Sequence, residues 1–245
     1  MQIKGSIALV TGAAKGIGLA FCTALLKNGA ASVRIIDICI NSGLKAQENL
    51  EAQFGPGTAE FIECDVCNRE KLSEAIRQTV KDHSKLDILC NNAGIIDEKN
   101  WPKSVELNLM SVIHGTYIGM EEMSSGVIVN VSSMGGLAPI SVTPVYSAAK
   151  HGVIGFTRSI APVAHRKGIR AACICPVFTD TPLLDKIKEE MPQMSTLLEH
   201  IGVCTVDQIA EGFLQLLQDD EKVGGVLKVT AKDGVGYEEF KYQGI

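Results

Sequence analysis

A tyrosine and a lysine four residues apart, Tyr146 and Lys150, form the pair in this sequence that is best suited to proton transfer. Residues i and i+4 of a helix lie on the same face, so the phenol and the ammonium would be neighbours. A free tyrosine titrates near pH ~10. A cation about 4 Å away, at an effective dielectric constant of about 20, favours the phenolate by about 4 kcal/mol. The pair therefore predicts a general acid–base site with Tyr146 as the reacting group.

A serine hydroxyl is predicted to share this site. Ser133 precedes Tyr146 by 13 residues and follows a predicted strand over residues 127–131. Ligands of open α/β sheets bind outside the carboxyl ends of the strands, which is where Ser133 would lie. We therefore expect Ser133 and Tyr146 to face one site.

A glycine-rich turn follows the first predicted strand, with the sequence T-G-A-A-K-G-I-G over residues 11–18. Gly12, Gly16 and Gly18 permit a tight turn and a close approach of backbone to a pyrophosphate, and the helix that follows presents its amino end to the anion. The position between a strand and a helix predicts a dinucleotide site. A glycine-rich turn without a ligand is the alternative.

An aspartate ends the second predicted strand, 19 residues after Gly18. The Asp37 carboxylate can accept hydrogen bonds from ribose hydroxyls and would repel a 2′-phosphate, and no basic residue directly follows it. These features favour NAD over NADP as the cofactor. An aspartate that caps the next helix is the alternative interpretation.

Short β-branched runs alternate with helix-like segments along the whole chain, which would position these residues. The alternation predicts an α/β fold, a single-domain Rossmann-type doubly wound parallel sheet of about seven strands with helices on both faces. An amphipathic segment over residues 180–202 interrupts the pattern and predicts a substrate lid, with an ordinary surface helix as the alternative. The predicted strands are 6–11, 33–38, 59–64, 86–91, 127–131, 169–174 and 226–229, and the predicted helices are 17–28, 42–54, 69–83, 105–122, 144–165 and 206–217.

Composition excludes several classes of protein. A net charge of −5 disfavours nucleic acid and anionic membranes as partners. The sequence lacks a signal-peptide pattern and an apolar run long enough for stable membrane insertion. Most of the eight cysteines lie in apolar segments, so we expect free thiols in a cytoplasmic protein. The C-x-x-C spacing at residues 64–67 has no second Cys/His pair nearby, and no metal site is predicted.

Several motifs together resemble the short-chain dehydrogenase/reductase family over essentially the whole chain. They are the turn at residues 11–18, Asp65 after the third strand, the N-N-A-G run at 91–94, and Asn108, Ser133, Tyr146 and Lys150. The resemblance implies that Tyr146 takes a proton from an alcohol while hydride passes to a nicotinamide. It further implies that Ser133 orients the substrate oxygen, that Lys150 lowers the tyrosine pKa and holds a ribose, and that Asn108 holds a water that relays protons to Lys150.

The same resemblance implies a cofactor groove along the sheet edge. In this family a Pro-Gly pair usually follows the sixth strand, whereas this chain has Pro176 and Val177, so we expect a local shift of the backbone there. The implied cofactor-binding residues are Gly12, Lys15, Gly16, Ile17, Gly18, Asp37, Ile38, Asp65, Val66, Asn92, Ala93, Gly94, Tyr146, Lys150, Pro176, Thr179 and Thr181.

Within the family, residues 97–101 and 150–159 are similar to the NAD-dependent 15-hydroxyprostaglandin dehydrogenases, which implies a lipophilic secondary alcohol as substrate. The implied substrate contacts are Ser133, Thr143, Tyr146 and Phe178. Those enzymes carry glutamine at the position of Thr143 and a longer lid. A steroid, ecdysteroid or terpenoid alcohol therefore stays an alternative substrate, and an NADP-dependent reductase or a non-catalytic cofactor-binding protein stays an alternative function.

A small-residue face on the predicted catalytic helix suits close helix packing. Its members are Ala148, Ala149, Gly152 and Gly155. In this family that helix and the one around Asn108 commonly form a subunit interface. The resemblance therefore implies a homodimer or a tetramer.

Overall fold

One eight-stranded sheet forms the centre of the structure, a computed structural model that describes residues 1–240. The strand order is β3-β2-β1-β4-β5-β6-β7-β8, with β1 to β7 parallel and β8 antiparallel to β7. This confirms the doubly wound α/β fold. The strands are β1 (Ile7–Thr11), β2 (Ser32–Asp37), β3 (Ala59–Glu63), β4 (Ile88–Asn91), β5 (Gly126–Val131), β6 (Ile169–Pro176), β7 (Val226–Thr230) and β8 (Gly234–Tyr237).

The eighth strand corrects the prediction of about seven. Strand β8 has glycine at two of its four positions and no fully buried residue. It pairs with β7 through a tight turn over residues 231–233. Its two apolar residues, Val235 and Tyr237, pack against the core but are only partly buried. Two apolar positions in four residues are too few for the hydrophobic pattern of the sequence to predict a strand.

Helices cover both faces of the sheet, with bounds that differ in places from the predicted ones. They are α1 (Gly16–Lys27), α2 (Ile40–Phe54), α3 (Arg69–His83), α4 (Trp101–Val105), α5 (Ser111–Glu122), α6 (Pro144–His165), α7 (Pro182–Glu190), α8 (Ser195–Ile201) and α9 (Val206–Gln218). A π-helical segment, Glu106–Met110, joins α4 to α5 where the sequence predicts one regular helix over residues 105–122. Within residues 1–240, none of the helices combines the length and the apolar character needed to cross a bilayer.

Two hydrophobic clusters bury the two faces of the sheet. One contains β1 residues Ala8 and Val10 with helices α1, α2 and α9, where Phe21 and Phe213 stack with ring centroids 4.1 Å apart. The other contains Leu9, the residue between them, with α3, α5 and α6. Alternate residues of one strand thus enter opposite clusters, as a sheet covered on both faces requires.

A buried polar network fixes α5 and α6 against the middle of the sheet. Asn91 Nδ2 on β4 donates to Asn130 Oδ1 on β5 at 2.8 Å, and Thr116 on α5 donates to the same oxygen at 3.1 Å. Asn130 Nδ2 donates to Thr157 on α6 at 3.0 Å. A side chain on Gly115 would meet Asn91, since an added Cβ would lie 2.2 Å from its Oδ1. The network therefore sets where α5 and α6 cross the strands whose ends form the site.

Candidate active site

A cavity of about 1330 Å³ opens at the carboxyl ends of the strands. Of the residues predicted for the site, all except Gly18 and Asn108 line it. The cavity runs from Asp37 and Asp65 at one end, past Lys150, to the segment of residues 180–202 at the other. The structure therefore brings the predicted cofactor and substrate residues together in one continuous space.

The glycine turn leaves room that any side chain would fill. An added Cβ on Gly18 would lie 2.5 Å from the carbonyl oxygen of Gly12, and one on Gly12, whose φ is 63°, would lie 2.8 Å from Ala93 Cα. No side chain caps the amino end of α1, and its first turn contains no acidic residue. The backbone N–H groups there are available to an anion, so the turn fits a pyrophosphate. Gly18 acts through this packing and does not line the cavity.

The Asp37 carboxylate is held at the far end of the cavity. Its Oδ2 accepts the N–H of Ala14 in the glycine turn at 3.1 Å, and its Oδ1 accepts the N–H of Cys39 at 3.0 Å. Helix α2 begins only at Ile40 with Cys39 at its N-cap position. Asp37 therefore orders the edge of the cavity as well as the entry to α2, and its contact with a ribose stays a prediction.

Tyr146 projects into the cavity from the first turn of α6. Burial raises its pKa above the ordinary value, and a hydrogen bond with Ser133 opposes this shift. The Lys150 ammonium lies 5.7 Å from the centroid of the tyrosine ring. The predicted lowering of the Tyr146 pKa by Lys150 is therefore not the net result, because the effect of burial outweighs that of the hydrogen bond with Ser133.

Lys150 is held beneath Tyr146 and is 3% exposed. Its Nζ donates to the Val131 carbonyl at 2.9 Å, and its backbone carbonyl accepts the Ser132 hydroxyl at 2.8 Å. Burial lowers the pKa of Lys150 to about 8. The ammonium thus stays predominantly protonated at neutral pH, and two of its three donors have no partner within the described chain.

Asn108 lies behind the cavity wall, in the π-helical segment. Its Oδ1 accepts the N–H of Ile95 at 3.1 Å, while its Nδ2 donates to the carbonyls of Ile95 at 2.8 Å and Ser104 at 2.9 Å. An added Cβ on Gly94 would lie 2.9 Å from Asn108 Oδ1 and 3.5 Å from Lys150 Nζ. Asn108 therefore shapes the wall beside Lys150, and its role in a water relay stays a prediction.

The other end of the cavity is apolar and is covered by the segment predicted as a lid. Helices α7 and α8 fold over it, and a parallel bridge between Thr179 and Cys204 joins the two ends of the segment. Ile187 and Met194 are buried there against Ile96, with other apolar side chains packed around them. These are Ile140, Val142, Tyr146, Phe178, Leu183, Met191 and Leu197.

The backbone shift expected after β6 concerns Val177, which lines the cavity. Val177, at the position where the family usually has glycine, is buried, and its N–H donates to Val229 at 3.0 Å in continuation of the β6–β7 pairing. Its φ is not positive, so the backbone here accepts a β-branched residue.

Sequence reasoning missed Glu98, which contacts the amino end of α6 from the loop after β4. Its two carboxylate oxygens accept the N–H groups of Val145 and Tyr146 at 3.0 and 2.9 Å. Thr143, the N-cap residue of α6, is buried and lines the cavity, and its hydroxyl has no hydrogen-bond partner within the described chain. Glu98 is 48 residues from Tyr146, and no local pattern marks that contact.

The fold and the cavity define the class of dinucleotide-binding α/β proteins, with a tyrosine beside a buried lysine in the cavity. Comparison with known proteins agrees: a family model described as short chain dehydrogenase matches residues 6–192. The chain belongs to this family.

Individual proteins are similar over most of their length. The NAD(+) 15-hydroxyprostaglandin dehydrogenase of Mus musculus is 41% identical, with 98% of this chain and 95% of that protein covered. The 3beta-hydroxysteroid dehydrogenase of Mediterraneibacter gnavus is 32% identical, with 77% and 73% covered. A crystal structure of levodione reductase has a TM-score of 0.83 at 26% identity, covering 93% of this chain and 96% of that one. These findings confirm the resemblance drawn from the sequence motifs.

The buried ammonium of Lys150 predicts a pH-dependent stability. Folding lowers its pKa from 10.5 to about 8. Between these values the unfolded chain binds a proton that the folded protein does not, so stability rises with pH in this window. From about pH 7.5 to about pH 9.5, the free energy of unfolding of the wild type should rise by about 1–2 kcal/mol relative to Lys150→Met, as measured by urea unfolding. Parallel pH dependences of the two proteins would contradict this.

Proposed function

We propose that this protein is an NAD-dependent dehydrogenase that oxidises a secondary hydroxyl on a lipophilic substrate of the 15-hydroxyprostaglandin type. The observation that carries this proposal is the placement of Tyr146, Ser133 and Lys150 between the glycine turn and an apolar compartment in one cavity. The name and 41% identity of the mouse relative support the reaction and the substrate class. The steroid dehydrogenase is less similar and covers less of the chain, so a steroid or terpenoid alcohol is not favoured.

The residues divide the proton chemistry between them. Gly135 N–H donates to Ser133 Oγ at 3.1 Å, so the Ser133 hydroxyl can direct its own proton toward the substrate oxygen. Tyr146 then takes the hydroxyl proton as the C–H bond breaks. The Lys150 charge favours the phenolate relative to an equally buried tyrosine without it. NAD, when bound, supplies the hydride acceptor, a nicotinamide ring.

Removing the Tyr146 hydroxyl tests catalysis separately from cofactor binding. Alcohol oxidation requires this hydroxyl, whereas the fold that binds NAD does not. We expect Tyr146→Phe to lower kcat by about 10²–10⁴-fold with NAD and a 15-hydroxyprostaglandin, because the general base is lost. NADH absorbance measures the rate, and fluorescence titration checks that NAD affinity is retained. Tyr237→Phe, on β8 and outside the cavity lining, is the matched control. A wild type that binds NAD but oxidises none of a panel of lipophilic alcohols would favour the non-catalytic alternative.

The choice of NAD over NADP is proposed to depend on Asp37. Lys15 lines the same cavity as Asp37. Removing the carboxylate would leave a cation to meet a 2′-phosphate. Asp37→Ala should lower the ratio of kcat/KM for NAD to that for NADP about 10–100-fold, because hydrogen bonds to a charged group are lost. Asp233→Ala, at the same cavity but in the turn before β8, should leave the ratio unchanged. A wild type that prefers NADP would overturn this part of the proposal.

A homodimer through α5 and α6 is part of the proposal, and the exposed face of α6 supports it. Ala148 and Gly155 lie on this face with Val163, which is 38% exposed, and Tyr117 of α5 is exposed nearby against Phe156. Small residues at one helix face allow two helices to approach closely. The tetramer stays an alternative, to be distinguished by mass.

Gly155 offers a clean test of this interface. A Cβ there meets nothing within 4 Å, so Gly155→Arg places a charge on the face without disturbing the fold of one subunit. We expect the variant to sediment as a monomer of 26.2 kDa while the wild type forms a larger species. Ala52→Arg, at an exposed position of α2, is the control for adding a charge to the surface. A monomeric wild type would contradict the proposed dimer.

A cytoplasmic location also remains a proposal. All eight cysteines lie in the described part of the chain as free thiols, which supports a reducing compartment.

A further inference from the structure

The amino end of α6 is capped by a residue that is distant in sequence. An N-cap threonine ordinarily accepts the N–H of the second or third helical residue with its own hydroxyl. Thr143 occupies the N-cap position and makes no such bond. The second and third residues, Val145 and Tyr146, instead donate to the two oxygens of Glu98. The carboxylate also suits the positive end of the helix dipole.

Because Glu98 caps α6 in place of Thr143, the Thr143 hydroxyl takes no part in the capping. Thr143 is 1% exposed, and its Oγ1 has no hydrogen-bond partner within residues 1–240. A buried hydroxyl without a partner is costly. Thr143 nonetheless lines the cavity, three residues before Tyr146 and beside the apolar compartment. A polar group of the bound substrate is the partner that this position offers.

Capping by Glu98 also fixes the backbone of Tyr146, the proposed general base. The N–H of Tyr146 itself is bonded to Glu98 Oε1 at 2.9 Å. Glu98 belongs to the loop after β4, whose residues Asn92 and Gly94 line the cofactor end of the cavity. The carboxylate therefore connects the backbone of the reacting tyrosine directly to the wall of the cofactor groove.

We propose that Glu98 is a positioning residue, which caps α6 in place of Thr143, fixes the backbone of Tyr146 and leaves the Thr143 hydroxyl free to bind the substrate. The functional half of this inference rests on the proposed dehydrogenase activity. The capping half does not, and it can be tested without turnover.

Thermal unfolding of four proteins tests the capping half: wild type, Glu98→Ala, Thr143→Val and the double variant. Glu98→Ala should lower Tm by about 2–4 °C. Thr143→Val alone should not lower Tm, since its hydroxyl makes no bond to lose. In the Glu98→Ala protein, the Thr143 hydroxyl should cap α6 in place of the lost carboxylate. Adding Thr143→Val to that protein should therefore lower Tm further. Additive effects would contradict capping by Glu98 in place of Thr143. Glu74→Ala, at an exposed α3 residue with no hydrogen bond or ion pair within the described chain, is the control for removing a glutamate.

Steady-state kinetics on the same proteins tests the functional half, with rates expressed per NAD-binding site so that unfolded protein does not count. Glu98→Ala should lower kcat about 10–100-fold through misplacement of Tyr146, with NAD affinity unchanged. Glu98→Gln keeps an oxygen that can accept one of the two N–H groups, so it should retain more activity. Thr143→Val should raise the KM of the alcohol about 5–10-fold in the wild type. In the Glu98→Ala background it should raise KM much less.

The outcomes separate the two claims. A wild type without turnover would overturn the proposed function, and the unfolding cycle would still decide whether Glu98 caps α6. A Glu98→Ala protein with wild-type kcat per NAD site, or a Thr143→Val protein with unchanged KM, would overturn the positioning role. If Glu98→Ala fails to fold, Glu98→Gln carries both cycles. A Glu98→Gln protein with the Tm and the kcat of the wild type would contradict the inference.

Discussion

The ammonium of Lys150 is a charge inside the protein, and the arrangement around it follows from the need to keep it there. Burial lowers its pKa to about 8, yet leaves it charged at neutral pH. One donor is satisfied by the Val131 carbonyl at the end of β5. A buried cation is stable only if its remaining donors are hydrogen-bonded and its charge is compensated. Lys150 lines the cavity together with Tyr146, so partners for these donors can come from there. In the proposed function, ligand binding and proton transfer both use this charge, which the described chain satisfies with one hydrogen bond.

The elements around Lys150 can be understood as supports for that position. The network of Asn91, Asn130, Thr116 and Thr157 holds α5 and α6 to the two central strands. The π-helical segment between α4 and α5 brings Asn108 close to Gly94, beside Lys150. An extra residue per turn is a recurrent feature of functional helices. Here it lets a buried amide satisfy the backbone of Ile95, so the loop after β4 keeps its shape at the cofactor groove.

Most of the fold and the site follow from local patterns in the sequence. The period of the apolar residues predicts the parallel strands, and the spacing of Gly12, Gly16 and Gly18 predicts the cradle at α1. What the sequence does not reveal depends on contacts between distant residues. Strand β8 has only four residues and pairs with β7, far from the start of the chain's regular alternation. Glu98 contacts α6 across 48 residues. The net effect on the Tyr146 pKa is opposite to the prediction, because spacing gives the position of a charge but not the degree of burial.

The apolar compartment under α7 and α8, Tyr146 and the glycine turn after β1 line one cavity. In the proposed function, hydride therefore passes directly from the alcohol to the nicotinamide, with both molecules bound in that cavity. A 15-hydroxyprostaglandin with deuterium on the carbinol carbon tests this most directly. We predict that the protein transfers the deuterium to the nicotinamide of NAD, detected by mass spectrometry of the reduced cofactor, and that Tyr146→Phe prevents the transfer. Recovery of unlabelled reduced cofactor, or loss of the deuterium to water, would contradict the account.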